Sequence, residues 1–231
     1  MRGDLRAFTV ERPRNLAAAL AALAARERPV PIAGGTDLYV LLNDGRAPGA
    51  RWLDLSRLDE LRGIARRRDG LRLGALTTFT ELARSREVAR RAPVLAEMAA
   101  TVGAAAIQNR GTLGGSLANA SPASDPAPAL LVLGAEVELA RRVGRRIARR
   151  SVPLERYFTA YRRTAARPDE LIVAVTLPAA ALEGWRYAYR KVGTRRAQAI
   201  SKVVAAVGVE LAGRSGTVRA ARIAFGSVAP V

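Results

Sequence analysis

No cysteine and no histidine occurs among the 231 residues, and this double absence narrows both what can hold the chain together and what chemistry it can carry. Without thiols there is no disulfide framework and no iron–sulfur ligand set. Without imidazole there is no Ser-His triad, and nearly every zinc site is excluded. The fold must therefore rest on a packed core, and 49% hydrophobic with 25% charged side chains supplies enough for one large domain or two small ones. Chemistry must come from carboxylates, a bound organic cofactor or a partner chain. Arg or Asp interrupts every apolar run well short of the ~20 residues that a membrane-spanning helix requires. The start, Met1-Arg2-Gly3-Asp4, lacks the apolar core of a secretory signal, so a cytoplasmic location is expected.

Of the 38 basic residues only Lys191 and Lys202 are not Arg, a skew that fits a GC-rich codon usage. The formal charge of +18 would suit phosphate contacts. Yet the Arg66-Arg67-Arg68 cluster and the Arg141, Arg142, Arg145, Arg146, Arg149 and Arg150 series contain no interleaved aromatic rings for stacking on bases. Nucleic-acid binding is not expected.

Residues 8–10, a helical pattern in Leu16, Leu20 and Leu23, and residues 30–33 read as strand, helix, strand. Such a crossover joins parallel strands. Gly34-Gly35-Thr36-Asp37 follows and leads into Leu38, Leu41 and Leu42 on one helical face. A strand is expected at 51–55, then a hairpin with an Asp69-Gly70 turn between residues 61–65 and 71–76. Two helices come next, the first capped by Thr78 or Thr80 and the second carrying Val94, Leu95, Met98 and Val102. From Ile107 to Asp125 the chain is rich in Gly, Ser, Asn and Pro, with Arg110 as the one charge before Asp125, and reads as a loop packed under a ligand or another loop. Asp125-Pro126 opens a short helix ending near Leu133, and residues 136–140 alternate as a strand. Beyond Pro178 three alternating runs, 185–191, 203–211 and 218–225, with Gly213 and Gly216 as turn residues, predict an antiparallel meander. The order is that of an α+β protein, with a boundary near 179–184 between a larger mixed portion and a smaller second domain.

Two glycine pairs are candidates for binding an anionic ligand: Ala33-Gly34-Gly35-Thr36-Asp37-Leu38 and Thr112-Leu113-Gly114-Gly115-Ser116-Leu117. Each precedes an expected helix, and paired glycines let backbone N–H groups converge on phosphate oxygens without side-chain obstruction. Each pair also reads as a plain turn. Neither G-x-G-x-x-G nor G-x-x-x-x-G-K-[ST] occurs, which disfavours a Rossmann or P-loop fold. Asp125 reads as a helix cap, leaving Ser124 free to face a ligand. Lys191 reads as a cation meeting an anionic or carbonyl group at a strand end, or as a solvated edge residue.

Taken together, residues 33–38, the stretch from Ile107 through Thr112-Leu113-Gly114-Gly115-Ser116 to Asp125, and the segment from Tyr189-Arg190-Lys191 to Ser201 resemble the FAD-binding subunit of the molybdenum hydroxylases, the family of xanthine dehydrogenase and carbon monoxide dehydrogenase. The resemblance spans nearly the whole chain, and its third segment is closest to bacterial xanthine dehydrogenase-like members. It implies a vanillyl-alcohol-oxidase-type FAD-binding fold of two α+β subdomains over residues 1–178. A smaller C-terminal antiparallel domain from 179 to 231 follows, apparently truncated: either a fragment or a shortened last domain. It further implies noncovalent FAD, with Ile32, Ala33, Gly34, Gly35, Thr36, Asp37 and Leu38 at a first diphosphate loop and Thr112, Gly114, Gly115 and Ser116 at a second. Ser124 and Asp125 would approach the ribityl or flavin side, and Ile172 and Lys191 the isoalloxazine. Ser116 stands where relatives commonly have Asn, and Gln198 where some have an acidic residue.

By the same resemblance, a large subunit carries the molybdenum cofactor and a small subunit the [2Fe-2S] clusters. This chain passes their electrons through FAD to NAD or another acceptor, with no catalytic acid, base or metal ligand of its own. The alternatives are a carbon monoxide dehydrogenase medium subunit, or a self-contained flavin oxidase of the same fold, whose frequent covalent attachment through His or Cys this chain cannot make.

Overall fold

The apolar periodicity at the start of the chain is realised as a crossover of parallel strands. A computed structural model describes residues 7–212 and 216–231; residues 1–4 and the turn expected at Gly213 lie outside them. Strand β1 (Thr9–Glu11), helix α1 (Leu16–Leu23), strand β2 (Val30–Ile32), helix α2 (Leu38–Asn43) and strand β3 (Arg51–Asp54) form a three-stranded parallel sheet in the order β1-β3-β2. Asn15 starts α1 by accepting the Ala18 N–H at 2.9 Å. The helix then buries Leu16, Ala19, Leu20 and Leu23 against Leu53, Leu55, Leu58 and Leu61, each Leu contributing roughly 1.5–3 kcal/mol of transfer free energy.

A five-stranded antiparallel sheet forms the centre. It consists of β4 (Ile64–Arg67), β5 (Gly70–Gly74), β6 (Glu136–Val143), β7 (Arg146–Pro153) and, out of chain order, β10 (Leu171–Pro178), arranged β4-β5-β10-β6-β7. The β4–β5 turn lies one residue earlier than the Asp69-Gly70 reading: Gly70 already pairs with Arg67 as the first residue of β5. Its φ of +149° and the Leu177 carbonyl, which a Cβ would overlap, leave that position to glycine. Between β7 and β10 a small hairpin, β8 (Phe158–Ala160) with β9 (Arg163–Thr164), stands on its own.

Helices α3 (Phe79–Arg84), α4 (Arg86–Arg91), α5 (Pro93–Thr101), α6 (Ala105–Gln108), α7 (Leu113–Asn119) and α8 (Pro126–Val132) fill the span between β5 and β6. The expected pair of helices is a trio, because Ser85 ends α3 and caps α4, and Pro93 opens α5 in its first turn. Thr78 and Glu81 form a capping box at the start of α3. The loop read from Ile107 to Asp125 is corrected as well: it contains the end of α6 and the whole of α7, which buries Leu113, Gly114 and Leu117. The C-terminal meander is present as β11 (Trp185–Gly193), β12 (Ser201–Ala212) and β13 (Thr217–Gly226), antiparallel in the order β11-β12-β13. Its inner residues Tyr189, Val204 and Ala206 join Leu95, Met98, Ala129 and Leu130 in the largest core. Among the described residues no helix is long and apolar enough to cross a membrane.

Candidate functional site

A cavity of about 820 Å³ opens where the loop after β2, the start of α7, the start of α8 and the central strand β10 converge. Ala33, Gly34, Gly35, Thr36, Asp37 and Leu38 line it from the first glycine loop; Thr112, Gly114, Gly115 and Ser116 line it from the second. Ser124, Asp125 and Ile172 line it too. Two sequence-predicted residues do not. Ile32 packs its side chain with Leu42 and Trp52, and Lys191 lies behind Asp125 rather than on the cavity wall.

The two loops are held against each other at Gly34, where an added Cβ would overlap the Arg110 carbonyl oxygen. Their chemistry differs. In the first loop Gly35 has a φ of +75°, and among the described residues the N–H groups of Gly35, Thr36 and Asp37 find no protein acceptor. In the second, Gly114 N–H donates to the Ala75 carbonyl at 2.8 Å, Gly115 N–H to Thr112 Oγ1 at 3.1 Å and Ser116 N–H to the Thr112 carbonyl at 3.0 Å. These glycines lie inside the first turn of α7, without positive φ. Their smallness serves close approach: Gly114 is buried against Ala75, while Gly115 is exposed with only Thr112 Oγ1 near an added Cβ. Free donors come from the first loop; open surface and the Ser116 hydroxyl come from the second. Ser116 Oγ lies 3.3 Å from Ser124 Oγ.

Asp125 does not cap α8, since its side chain makes no bond to the helix N-terminus. Its carboxylate accepts from Lys191 Nζ at 2.6 Å and from the Ser201 hydroxyl, and Lys191 also donates to the Thr101 carbonyl at 2.9 Å. Both charged side chains are only 10% exposed, so Lys191 is no solvated edge residue. Elsewhere on the lining, Glu170, whose side chain is 2% exposed, forms a bidentate pair with Arg150 at 2.7 Å, which holds its carboxyl below the ordinary value. Tyr157 is pushed up to about 12 by burial.

At the rim, Asn119 Nδ2 donates to Asp37 Oδ1 at 2.9 Å, and Arg162 Nη1 donates to Asn119 Oδ1 at 3.1 Å. Burial pushes Asp37 up while the Arg162 charge draws it down. Sequence reading missed Asn119, Arg162, Glu170, Tyr157 and Ser201 as parts of this cavity. Asn119 was findable, as an uncharged polar residue inside the long middle motif; Arg162 carries no signal among so many arginines.

Residues 6–180 match the family described as the FAD binding domain in molybdopterin dehydrogenase. The chain is 32% identical over 220 residues to the xanthine dehydrogenase FAD-binding subunit of Escherichia coli, covering 95% of this chain and 73% of that one. It is 31% identical over 199 residues to the carbon monoxide dehydrogenase medium chain of Hydrogenophaga pseudoflava, covering 86% and 67%. Among solved structures, a chain of carbon monoxide dehydrogenase from Hydrogenophaga pseudoflava, in a form lacking the Mo-pyranopterin moiety, superposes with a TM-score of 0.89 at 30% identity over 96% of this chain and 75% of that one. By the family match, the identity to the relatives and the shared fold, this chain belongs to the FAD-binding domains of the molybdopterin dehydrogenases.

Proposed function

We propose that this chain is the FAD-binding, electron-transferring subunit of a multi-subunit molybdenum hydroxylase of the xanthine dehydrogenase type. The observation that carries the reading is the cavity itself. A volume of about 820 Å³ is within the range used for organic cofactors, and one wall offers three adjacent backbone N–H groups without acceptors among the described residues. The residues fit a dinucleotide. Gly35, Thr36 and Asp37 would hold the diphosphate through backbone N–H groups, Gly115 would let it approach α7, and Ser116 and Ser124 would offer hydroxyls. Ile172 would supply apolar contact beside the ring system, and Lys191 would act on the ring through Asp125. FAD, when bound, supplies the capacity to take up electrons singly or in pairs, together with a proton from solvent; the chain binds, orients and shields it.

The same reading places the molybdenum cofactor on a large partner subunit and [2Fe-2S] clusters on a small one, with NAD or another acceptor receiving the electrons and a cytoplasmic location. A chain without Cys cannot ligate those clusters itself. It also carries the vanillyl-alcohol-oxidase-type arrangement, with the FAD domain at residues 1–178 and the C-terminal domain from 179. In support, the central sheet ends at Pro178 and the third sheet begins at Trp185.

The test is to purify the chain, measure its flavin content and precipitate it with acid. One FAD per chain, released entirely to the supernatant, is expected. Flavin kept in the pellet would overturn noncovalent binding, and absence of flavin after incubation with FAD would overturn the reading. The loaded protein should pass electrons from NADH to a dye yet leave xanthine, aldehydes and carbon monoxide untouched. Sustained substrate oxidation without molybdenum or iron would favour a self-contained oxidase instead.

A further inference from the structure

The charged groups on the cavity wall can be paired off one by one. Asp125 is matched by Lys191 and Glu170 by Arg150, and neither cation is itself on the wall. Asp37 and Arg162 remain, and Arg162 is the one basic side chain among the described residues that line the cavity. They are joined through Asn119, at 2.9 Å on one side and 3.1 Å on the other. A carboxylate only accepts and a guanidinium only donates, so the amide has a single orientation that satisfies both. The chain of bonds ties together the loop after β2, the end of α7 and the tip of the β8–β9 hairpin. Backbone on both sides of the link is left-handed at residues other than glycine: Ala120 has a φ of 47° and Arg162 a φ of 52°. Such conformations persist only where their surroundings impose them.

We propose that Arg162 is a positioning residue that latches the cavity over an anionic dinucleotide, acting through Asn119 on Asp37. The inference rests on the FAD reading above and adds the device that retains the cofactor. A diphosphate on the N–H groups of Gly35 to Asp37 sits beside the Asp37 carboxylate, and like charges repel. The Asn119 N–H bond and the guanidinium behind it draw that carboxylate's charge toward the rim, while the same bonds pin the hairpin to α7. Losing the Arg162 bond frees the hairpin from α7 and removes the cation behind Asn119, and losing the Asn119 bond to Asp37 leaves the carboxylate uncompensated.

The experiment loads the full chain with FAD, dilutes it rapidly and follows release by the recovery of flavin fluorescence. Asn119→Leu keeps the size and loses both bonds. Arg162→Gly keeps the backbone conformation, which glycine favours, and loses the side chain. Each should speed release about tenfold, and the double variant should release no faster than either single one, because both break the same chain of bonds. Arg162→Lys should restore most of the retention, since an ammonium can still donate to the Asn119 carbonyl, and added salt should narrow the gap between wild type and variants. Release at the wild-type rate from both single variants, or multiplied effects in the double, would overturn the latch. A wild-type chain that takes up no FAD overturns the cofactor reading and the latch together; stoichiometric loading with unchanged variants overturns the latch alone. Arg162 is exposed and Asn119 half-buried, so melting within a few degrees of wild type is expected, and Arg162→Gly alone decides the matter if Asn119→Leu folds poorly.

Discussion

The adjacent glycines of the second loop have opposite duties, and replacing each by alanine separates them. A Cβ on Gly114 would lie 2.7 Å from the Ala75 Cβ, 2.8 Å from its carbonyl oxygen and 3.1 Å from its Cα, about 1 Å inside ordinary van der Waals separation. None of these atoms can swing aside, because Ala75 is buried and its carbonyl accepts the Gly114 N–H at 2.8 Å. Helix α7 must therefore lift. Relieving such overpacking costs about 1–3 kcal/mol, and weakening the bond adds about 1 kcal/mol. Against this stands a gain of about 1 kcal/mol from placing Ala instead of Gly in a helix. The net loss is about 2 kcal/mol, which for a chain of this size lowers Tm by about 4–8 °C. At Gly115 the added methyl meets only Thr112 Oγ1, at 2.8 Å; crowding of the cap and the gain in helix propensity offset each other. Thermal unfolding of the apo proteins, followed by circular dichroism, should show Gly114→Ala well below wild type and Gly115→Ala close to it. Titration with FAD should show Gly115→Val losing affinity while still folded. A Gly114→Ala protein as stable as wild type would refute the packing argument, and an equal drop for both would refute the division of duties.

Two further outcomes are expected. Lys191→Met strands the buried Asp125 carboxylate, so stability in urea should fall by about 3–5 kcal/mol; when FAD is bound its reduction potential should also fall, and an unchanged potential would confine Lys191 to a structural role. Tyr157, whose hydroxyl is held up at about 12 by burial against about 10 in an unfolded chain, stabilises the fold fully below pH 10, and this contribution is lost as pH rises from about 10 toward 12. Denaturation measured across that window should steepen by about 1.4 kcal/mol per pH unit for this group, and Tyr157→Phe should remove that share of the slope.

What could be read from the sequence follows from where each element lies. The opening crossover and the closing meander were legible because each buries one face, which leaves periods of 3.6 or 2 in the apolar residues. The central sheet was largely hidden between 141 and 178. Strand β10 reads Leu-Ile-Val-Ala-Val-Thr-Leu, without alternation, because both of its faces are buried. Strand β7 is an edge whose arginines resemble a surface charge run. Both glycine loops stood out, and the structure brings them to one cavity. Their unequal hydrogen bonding could not be foreseen, since Gly114 owes its place to Ala75, which is far off in the chain. The partners of Asp125 and Asp37 were equally out of reach, for each pairing spans 66 residues or more.

The place of β10 between β5 and β6 has a bearing on how the chain is made. On the ribosome the β4–β5 and β6–β7 hairpins are finished first, and they remain two unjoined ribbons until the strand that seats between them has been synthesised. From Pro153 to Pro178 takes roughly one to five seconds at ~5–20 residues per second. During that interval β5 and β6 each present an unpaired edge next to the apolar side chains of Leu71, Leu73, Val137 and Leu139, the kind of surface that recruits strands from neighbouring chains. Yield on rapid overexpression should therefore depend on translation speed through this stretch and on chaperone supply.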